Sequence, residues 1–326
     1  MSAQSTGGGE PFWSAMMNPG YLQDALQPDF GDQLAAWHQT LGDMQVWALV
    51  DGAIAGEERM QRLKSAYHEP LAAFDATHLY AYDELGLFMW PVASVLQRDA
   101  AAALLQTLSA LPALSFIASP APAPVTCQTL AWLAGATTTD RLKLYLRIGD
   151  SRVIAPALAN LTTPQVARLS EGIAAWAVPD RTGGFSLLAF ASDRPGPAVE
   201  KDATGVVLGD VAYERILAAS LPDMLHAEML RADVSIFDGN KGSWLHAWLS
   251  HALERAKAKG VHQFSDQVEF ARIARWVKKP FEDIAELEST WRILQEKGTP
   301  LLTLRQQWDE SQWRAIEKIV NSPRPV

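Results

Sequence analysis

Residues 142–180, LKLYLRIGDSRVIAPALANLTTPQVARLSEGIAAWAVPD, carry the strongest fold signal in the chain. Leu142, Leu144, Leu146 and Ile148 alternate with Lys143, Tyr145 and Arg147, the period of a strand with one buried face. Residues 151–175 then read as helix, broken at Thr162, Thr163 and Pro164, where Thr163 suits a cap and Pro164 the first helical position. Asp150 or Ser151 suits the N-cap of the first of these helices. A further strand, FSLLAF, follows the turn at Gly183 and Gly184.

Upstream, the same alternation of strand and helix recurs. VWALVD, residues 46–51, is an apolar run of strand length ended by Asp51 and Gly52, and it reads as buried on both faces. Residues 54–67 read as a helix stopped by Pro70. LGLFMWPVASVL leads into a helix over 99–111, ALSFIAS offers a short strand, and TCQTLAWLAGA is an amphipathic helix beyond a Pro- and Ala-rich loop. Interrupted helical turns are expected over 22–41, preceded by a small, polar, glycine-rich start expected to be mobile.

Downstream, DRPGPAVEKDATG has the Pro, Gly and charge content of a linker. Beyond it only helices are expected, over 211–220, 222–232, 243–259, 265–279, 282–297, 300–308 and 310–320. Gly260 and Gly298 serve as C-terminal stops, Pro280 as a breaker, and Thr299 with Pro300 as a cap and first-position pair. The expected fold is therefore α+β. It comprises an N-terminal helical extension (1–42), an α/β lobe with a mixed sheet flanked by helices (43–192), a linker (193–206) and an all-helical, partner-binding lobe (207–326).

Bulk properties narrow the function. With 48% apolar and 20% charged residues, the 326-residue chain has enough apolar surface for a packed core. A net charge of −9 argues against nucleic acid, whose affinity comes from neutralising phosphates. The charge is uneven: residues 1–241 carry 15 basic and 26 acidic side chains, and 242–326 carry 13 and 11, so the tail lobe suits an acidic partner better than the rest does. One cysteine, Cys127, excludes an intramolecular disulfide and suits a reducing compartment. The N-terminus does not read as a secretory signal, and the apolar stretch 100–117 is too interrupted for a membrane span. A cytoplasmic protein without membrane insertion is expected.

Catalytic strings are missing: there is no G-x-S-x-G, G-x-G-x-x-G, Walker-type loop or H-E-x-x-H. His246 and His251 are five apart, which does not align two ligands on one helical face, and DGNKG lacks the glutamate that a calcium loop requires, with Leu249 in its place. Neither a metal nor a cofactor is expected. Cys127 reads as an inert, packed thiol. Arg147, Asp150 and Arg152 place two guanidiniums around one carboxylate at a strand end, which reads either as an ion network bracing the fold or as an acid-binding site. Six of the twelve tryptophans fall in residues 242–326. Trp244 and Trp248 lie on the apolar stripe of the 243–259 helix and read as core. Trp276 and Trp291, beside Arg272, Arg275 and Arg292, have the composition of a protein-binding patch as well as that of ordinary packing, and Trp308 is grouped with them.

The order of these segments resembles the effector adaptor or chaperone family of bacterial type VI secretion systems, built on a conserved domain long listed as of unknown function. VWALVDGA with Asp51, the apolar LGLFMWPVASVL with its central Pro91, and the 142–180 stretch carry the resemblance. Arg147, Asp150, Arg152, Val153, Ile154 and Trp176 fall on the family's pattern of an Arg-rich strand, an Asp-Pro-Arg-Val-Leu segment, a helix and a Trp-containing strand. Ile148 and Gly149 stand where aromatics are usual, and Ser151 replaces the common proline. The resemblance implies a non-enzymatic cytoplasmic protein that binds a toxic effector and helps load it onto the secretion spike, in the service of competition between bacteria. Two other readings compete with it: a hydrolase or transferase with a site near Arg147 and Asp150, and a structural scaffold.

Overall fold

The computed structural model describes residues 21–321 apart from 68, 81–85, 96–97, 191, 201–202, 234, 238 and 278–279. The expected mobile start lies outside the described residues. In chain order come helix α1 (Phe30–Thr40), strand β1 (Gln45–Asp51), helices α2 (Gly52–Ala55) and α3 (Glu57–Ala66), and strands β2 (Leu71–Ala72) and β3 (Leu87–Pro91). Helices α4 (Val92–Val95) and α5 (Arg98–Leu108), strand β4 (Leu114–Ser119), helix α6 (Ala123–Ala134), and strands β5 (Gly135–Thr138) and β6 (Lys143–Tyr145) follow. Then come helices α7 (Ser151–Leu158) and α8 (Thr163–Ser170), and strands β7 (Ala175–Pro179), β8 (Phe185–Leu188) and β9 (Val207–Leu208). Helix α9 (Asp210–Ala232) carries the division of the chain into two compact units, Met1–Ser220 and Leu221–Val326.

The first unit is built on a six-stranded sheet in the order β2-β3-β1-β4-β7-β8, with every ladder antiparallel. Its central strands read as unbroken apolar runs because both faces are covered. Val46, Ala48 and Val50 of β1, with Phe116 of β4 and Ala177 of β7, pack against Phe30, Leu34 and Trp37 of α1, Leu63 of α3 and Leu104 of α5. The alternate residues Leu49, Ile117, Trp176 and Val178 enter a second core with Leu130 and Leu133 of α6, Ile154 and Leu158 of α7 and Leu169 of α8. The stretch 100–117, too interrupted for a membrane, is thus divided between α5 and β4. Among the described residues no helix is long and apolar enough to cross a membrane.

A second sheet, β6-β5-β9, supplies the fold's parallel pair, β5 with β9. This pairing moves the division of the chain downstream of the expected linker at 193–206. Val206 and Leu208 are fully buried in the core of the first unit, so a strand forms where only helix was expected. The two helices expected over 211–232 are one, running through Pro222. The strand expected over 142–148 shortens to Lys143–Tyr145, because the Ile148 N–H bonds back to the Leu146 carbonyl at 2.8 Å and turns the chain out of the ladder. The break at 162–164 is where expected, but Thr162 is the N-cap of α8. Its backbone N–H donates to the Gln165 side chain at 2.9 Å.

The second unit is helical: the end of α9, then α10 (Gly242–Ala258), α11 (Phe264–Val277), a 3-10 turn (Ala285–Leu287), α12 (Glu288–Lys297), α13 (Leu301–Gln306) and α14 (Glu310–Asn321). Gly298 adopts the left-handed conformation (φ 62°) after α12 and its N–H closes on the Leu294 carbonyl, the stop its sequence position suggested. The core gathers Phe270, Ile273, Phe281, Leu287, Trp291, Leu301, Leu304, Trp308 and Ile316. Buried carboxylates tie the helices together. Glu282 receives the Arg255 fork, Arg305 meets Glu269 at 2.9 Å, and Asp266 accepts from the Leu301 N–H at 2.8 Å.

Candidate functional site

Two arrangements emerge from the singled-out residues, one in each unit. In the first unit, Asp51 ends β1 and caps α2, its Oδ1 accepting from the Ile54 N–H at 2.9 Å. Arg147 arrives from a distant part of the chain and donates from Nε to Oδ2 at 2.9 Å and from Nη2 to Oδ1 at 2.8 Å. The Arg147 pKa is raised above its already high value, chiefly by these hydrogen bonds to Asp51. Asp150 caps α7 and accepts from Arg152 at its backbone N–H, Nε and Nη2. The expected arrangement of two guanidiniums on one carboxylate is therefore corrected: each guanidinium has its own carboxylate. The Arg152 guanidinium lies 5.0 Å from the centroid of the Tyr21 ring, and burial raises the Tyr21 hydroxyl pKa.

Gly149 sits between these pairs, where a side chain would crowd its neighbours. A Cβ there would stand 2.9 Å from both the Asp51 Cβ and the Leu87 Cδ1. The glycine thus matches the close approach of the 147–150 turn to β1. Trp176 is wholly buried on β7, whereas Pro91, at the end of β3 opposite Trp47, is exposed. With both carboxylates held by guanidiniums and by helix-start N–H groups, the cluster presents a brace between β1 and the turn into α7. Neither carboxylate is placed as a base reaching out to solvent.

Cys127 is also removed from chemistry. It is buried, its Sγ lies 3.9 Å from the Met89 Sδ, and burial pushes the thiol pKa up to about 11. Its reaction with a maleimide-type or disulfide reagent at pH 8 is expected to run at least about 100-fold slower in the native protein than in urea, from loss of thiolate alone. Equal rates would place the thiol at the surface. Among the described residues no group of three or more His, Cys, Asp or Glu side chains is placed to hold a metal ion.

In the second unit the tryptophans separate into core and surface. Trp291 is 2% exposed, donates its indole N–H to the Glu282 carbonyl at 3.0 Å, and packs on Phe270 and Phe281. Trp308 is 7% exposed and donates to the Thr290 hydroxyl at 3.1 Å. Both expected partner-binding residues are therefore structural, because their helices turn them inward to close the core of this unit. Trp276 is different: it is 49% exposed on the last turn of α11, with its ring 6.2 Å from that of Trp313 on α14. Trp244, expected in the core, is 47% exposed at the start of α10.

Arg275 joins these groups. Its Nε–H donates to the Ile236 carbonyl at 3.0 Å, and its guanidinium lies 5.6, 5.9 and 6.0 Å from the rings of Phe237, Trp244 and Trp248. Arg272, one turn earlier on α11, is half-buried on the same side of the helix as Trp276. Arg275 against Trp244, and the neighbouring Trp276 against Trp313, thus link α11 to α10 and to α14. Of the five residues expected to bind a partner, Arg272, Arg275 and Trp276 lie on this surface. The sequence reading missed Trp244 because its i, i+4 spacing to Trp248 continues the apolar stripe. That stripe overruns the core in the first turn of α10. Trp313 carried a weaker signal, one turn before the buried Ile316 on an otherwise charged helix.

The molecule thus belongs to the class of α+β proteins with a braced sheet unit and a separate helical unit that exposes aromatic and arginine side chains. Residues 46–168 match the model of a family described as a domain of unknown function, DUF4123. The match takes in β1, the Asp51–Arg147 brace and α7, and stops before β7 and the helical unit. No curated protein and no solved structure matches the chain.

Proposed function

We propose that this chain is a non-enzymatic adaptor that binds a type VI secretion effector and helps load it onto the secretion spike. The match over residues 46–168 carries the reading. It falls on the segment where Asp51, Pro91, Arg147, Asp150 and Arg152 resemble the effector adaptor family. The brace around Asp51 is what a rigid holding frame requires, and the exposed tryptophans of the helical unit have the composition of a binding surface. The adaptor works in the cytoplasm, with a toxin as partner and the spike protein as a second contact. It needs no cofactor, nucleic acid or membrane insertion.

The test is genetic and biochemical. Cells lacking this chain are expected to stop secreting one type VI toxin while the spike protein is still exported. The tagged chain is expected to co-purify that toxin from the cytoplasm. An unchanged secretion profile overturns the proposal.

A further inference from the structure

The arginines of the helical unit are not treated alike. Arg231, Arg255, Arg305 and Arg314 each meet a carboxylate, Glu228, Glu282, Glu269 and Glu310 respectively. Among the described residues, no carboxylate pairs with Arg272, Arg275 or Arg292, and the first two stand beside the exposed tryptophans. The segment that bears them, FARIARWVKKP at 270–280, contains no acidic residue at all. The segment's four basic residues are therefore not balanced within the segment itself, although the whole chain carries −9.

Arg275 is also held in place. Its Nε–H is bonded to the Ile236 carbonyl and its plane is boxed by Phe237, Trp244 and Trp248, while its terminal N–H groups bond no carboxylate among the described residues. A guanidinium fixed by rings loses little freedom on binding a carboxylate, and rings that shield it from water strengthen the pair. Exposed indoles on either side, Trp244 and Trp276, offer flat apolar area for an adjacent large side chain.

We propose that Arg275, with Arg272 beside it, is a carboxylate-reading site. It takes a short partner segment in which Asp or Glu lies next to a large apolar residue that packs on Trp276 or Trp244. The site rests on the adaptor reading only in that the partner is a protein. A polyanion is the less favoured occupant, because the net negative chain repels an extended array of phosphates, whereas one or two carboxylates need only local positive charge.

The test uses the full chain and three capped ten-residue probes that share one leucine and tryptophan pair: one with four flanking Asp and Glu residues, one with the corresponding Asn and Gln, and one with four Lys. Titration calorimetry is expected to show the acidic peptide bound about 10-fold or more tighter than its amide counterpart, with the preference reduced by salt and the Lys peptide unbound. Arg275→Met should remove the preference. Arg272→Gln, which breaks no ion pair among the described residues, should reduce it, and Trp276→Ala should weaken both peptides together. Equal affinity for acidic and amide peptides, or a preference that survives Arg275→Met and Arg272→Gln, overturns the proposal. So does tighter binding of a twenty-nucleotide oligo(dT), which would assign the face to nucleic acid. Self-association abolished by the same variants would assign it to a second copy of the chain and likewise overturn it. Carboxylate selectivity in a chain whose loss leaves toxin secretion unchanged would refute the adaptor role while retaining this site.

Discussion

Replacing Trp291 by alanine is expected to cost about 3–5 kcal/mol of stability, the range for deleting a large buried aromatic. The indole is 2% exposed and touches Phe270 and Phe281 from α11 and the following loop, so its removal opens the centre of the helical unit. It also strips a donor from the Glu282 carbonyl, on the residue whose carboxylate receives the buried Arg255 fork. In urea followed by far-UV ellipticity, a loss of this size lowers the midpoint of the transition that reports this unit by about 1–3 M. A midpoint within error of the wild type would show that Trp291 is not a core residue.

Trp276→Ala provides the contrast. Its side chain is half in solvent and its principal ring contact is to Trp313, so a change within about 1 kcal/mol is expected. Loss of partner capture by Trp291→Ala would therefore report unfolding, whereas loss by Trp276→Ala at unchanged stability would report the surface. Two tryptophans with similar flanking charge in the sequence thus carry opposite roles, and only the helix packing separates them.

Residues such as Leu49, Ile117 and Trp176 show why the sheet was legible. A strand covered on both faces must be apolar throughout, and the turns that end it must be polar or glycine-rich, so its limits are written locally. Strand β9 was not legible, since two residues pair only because Gly205 lets the chain run against β5. A Cβ there would stand 1.5 Å from the Gly135 carbonyl oxygen. The Asp51–Arg147 pair was half legible. Both residues were singled out, but Arg147 was assigned to Asp150, three positions away, because a pairing across 96 positions leaves no trace in spacing. The exposed aromatic and arginine surface was legible in composition and illegible in geometry. Arg272, Arg275 and Trp276 were named from their residue types, but whether a tryptophan near a helix end overhangs the core depends on what its neighbours cover.

The brace around Asp51 allows a second large effect to be set out. Arg147→Ala leaves the Asp51 carboxylate, 4% exposed, with the Ile54 N–H as its one hydrogen-bond donor among the described residues, while the Arg147 side chain it lost is 40% exposed. A fully buried pair broken on one side costs about 3–5 kcal/mol, and the solvent reaching Arg147 reduces the expectation to about 2–3 kcal/mol. Asp51→Ala removes the same pair and the α2 cap, but leaves a guanidinium able to reach water, so it should cost less than its burial suggests. The double replacement Asp51→Ala with Arg147→Ala should be more stable than the sum of the two single losses predicts, by about 1–2 kcal/mol, as expected for residues in direct contact. Additivity would mean that the bidentate pair contributes nothing as a pair. Gly149→Ala tests the same geometry by crowding, since its Cβ would press on Asp51 and Leu87, and a loss of about 1–3 kcal/mol is expected. The same series bears on function. A brace acts through the fold, so partner capture should follow the folded fraction in all four variants. Were Arg147 a ligand-binding or catalytic group, the conservative Arg147→Met protein would lose its activity while still folded.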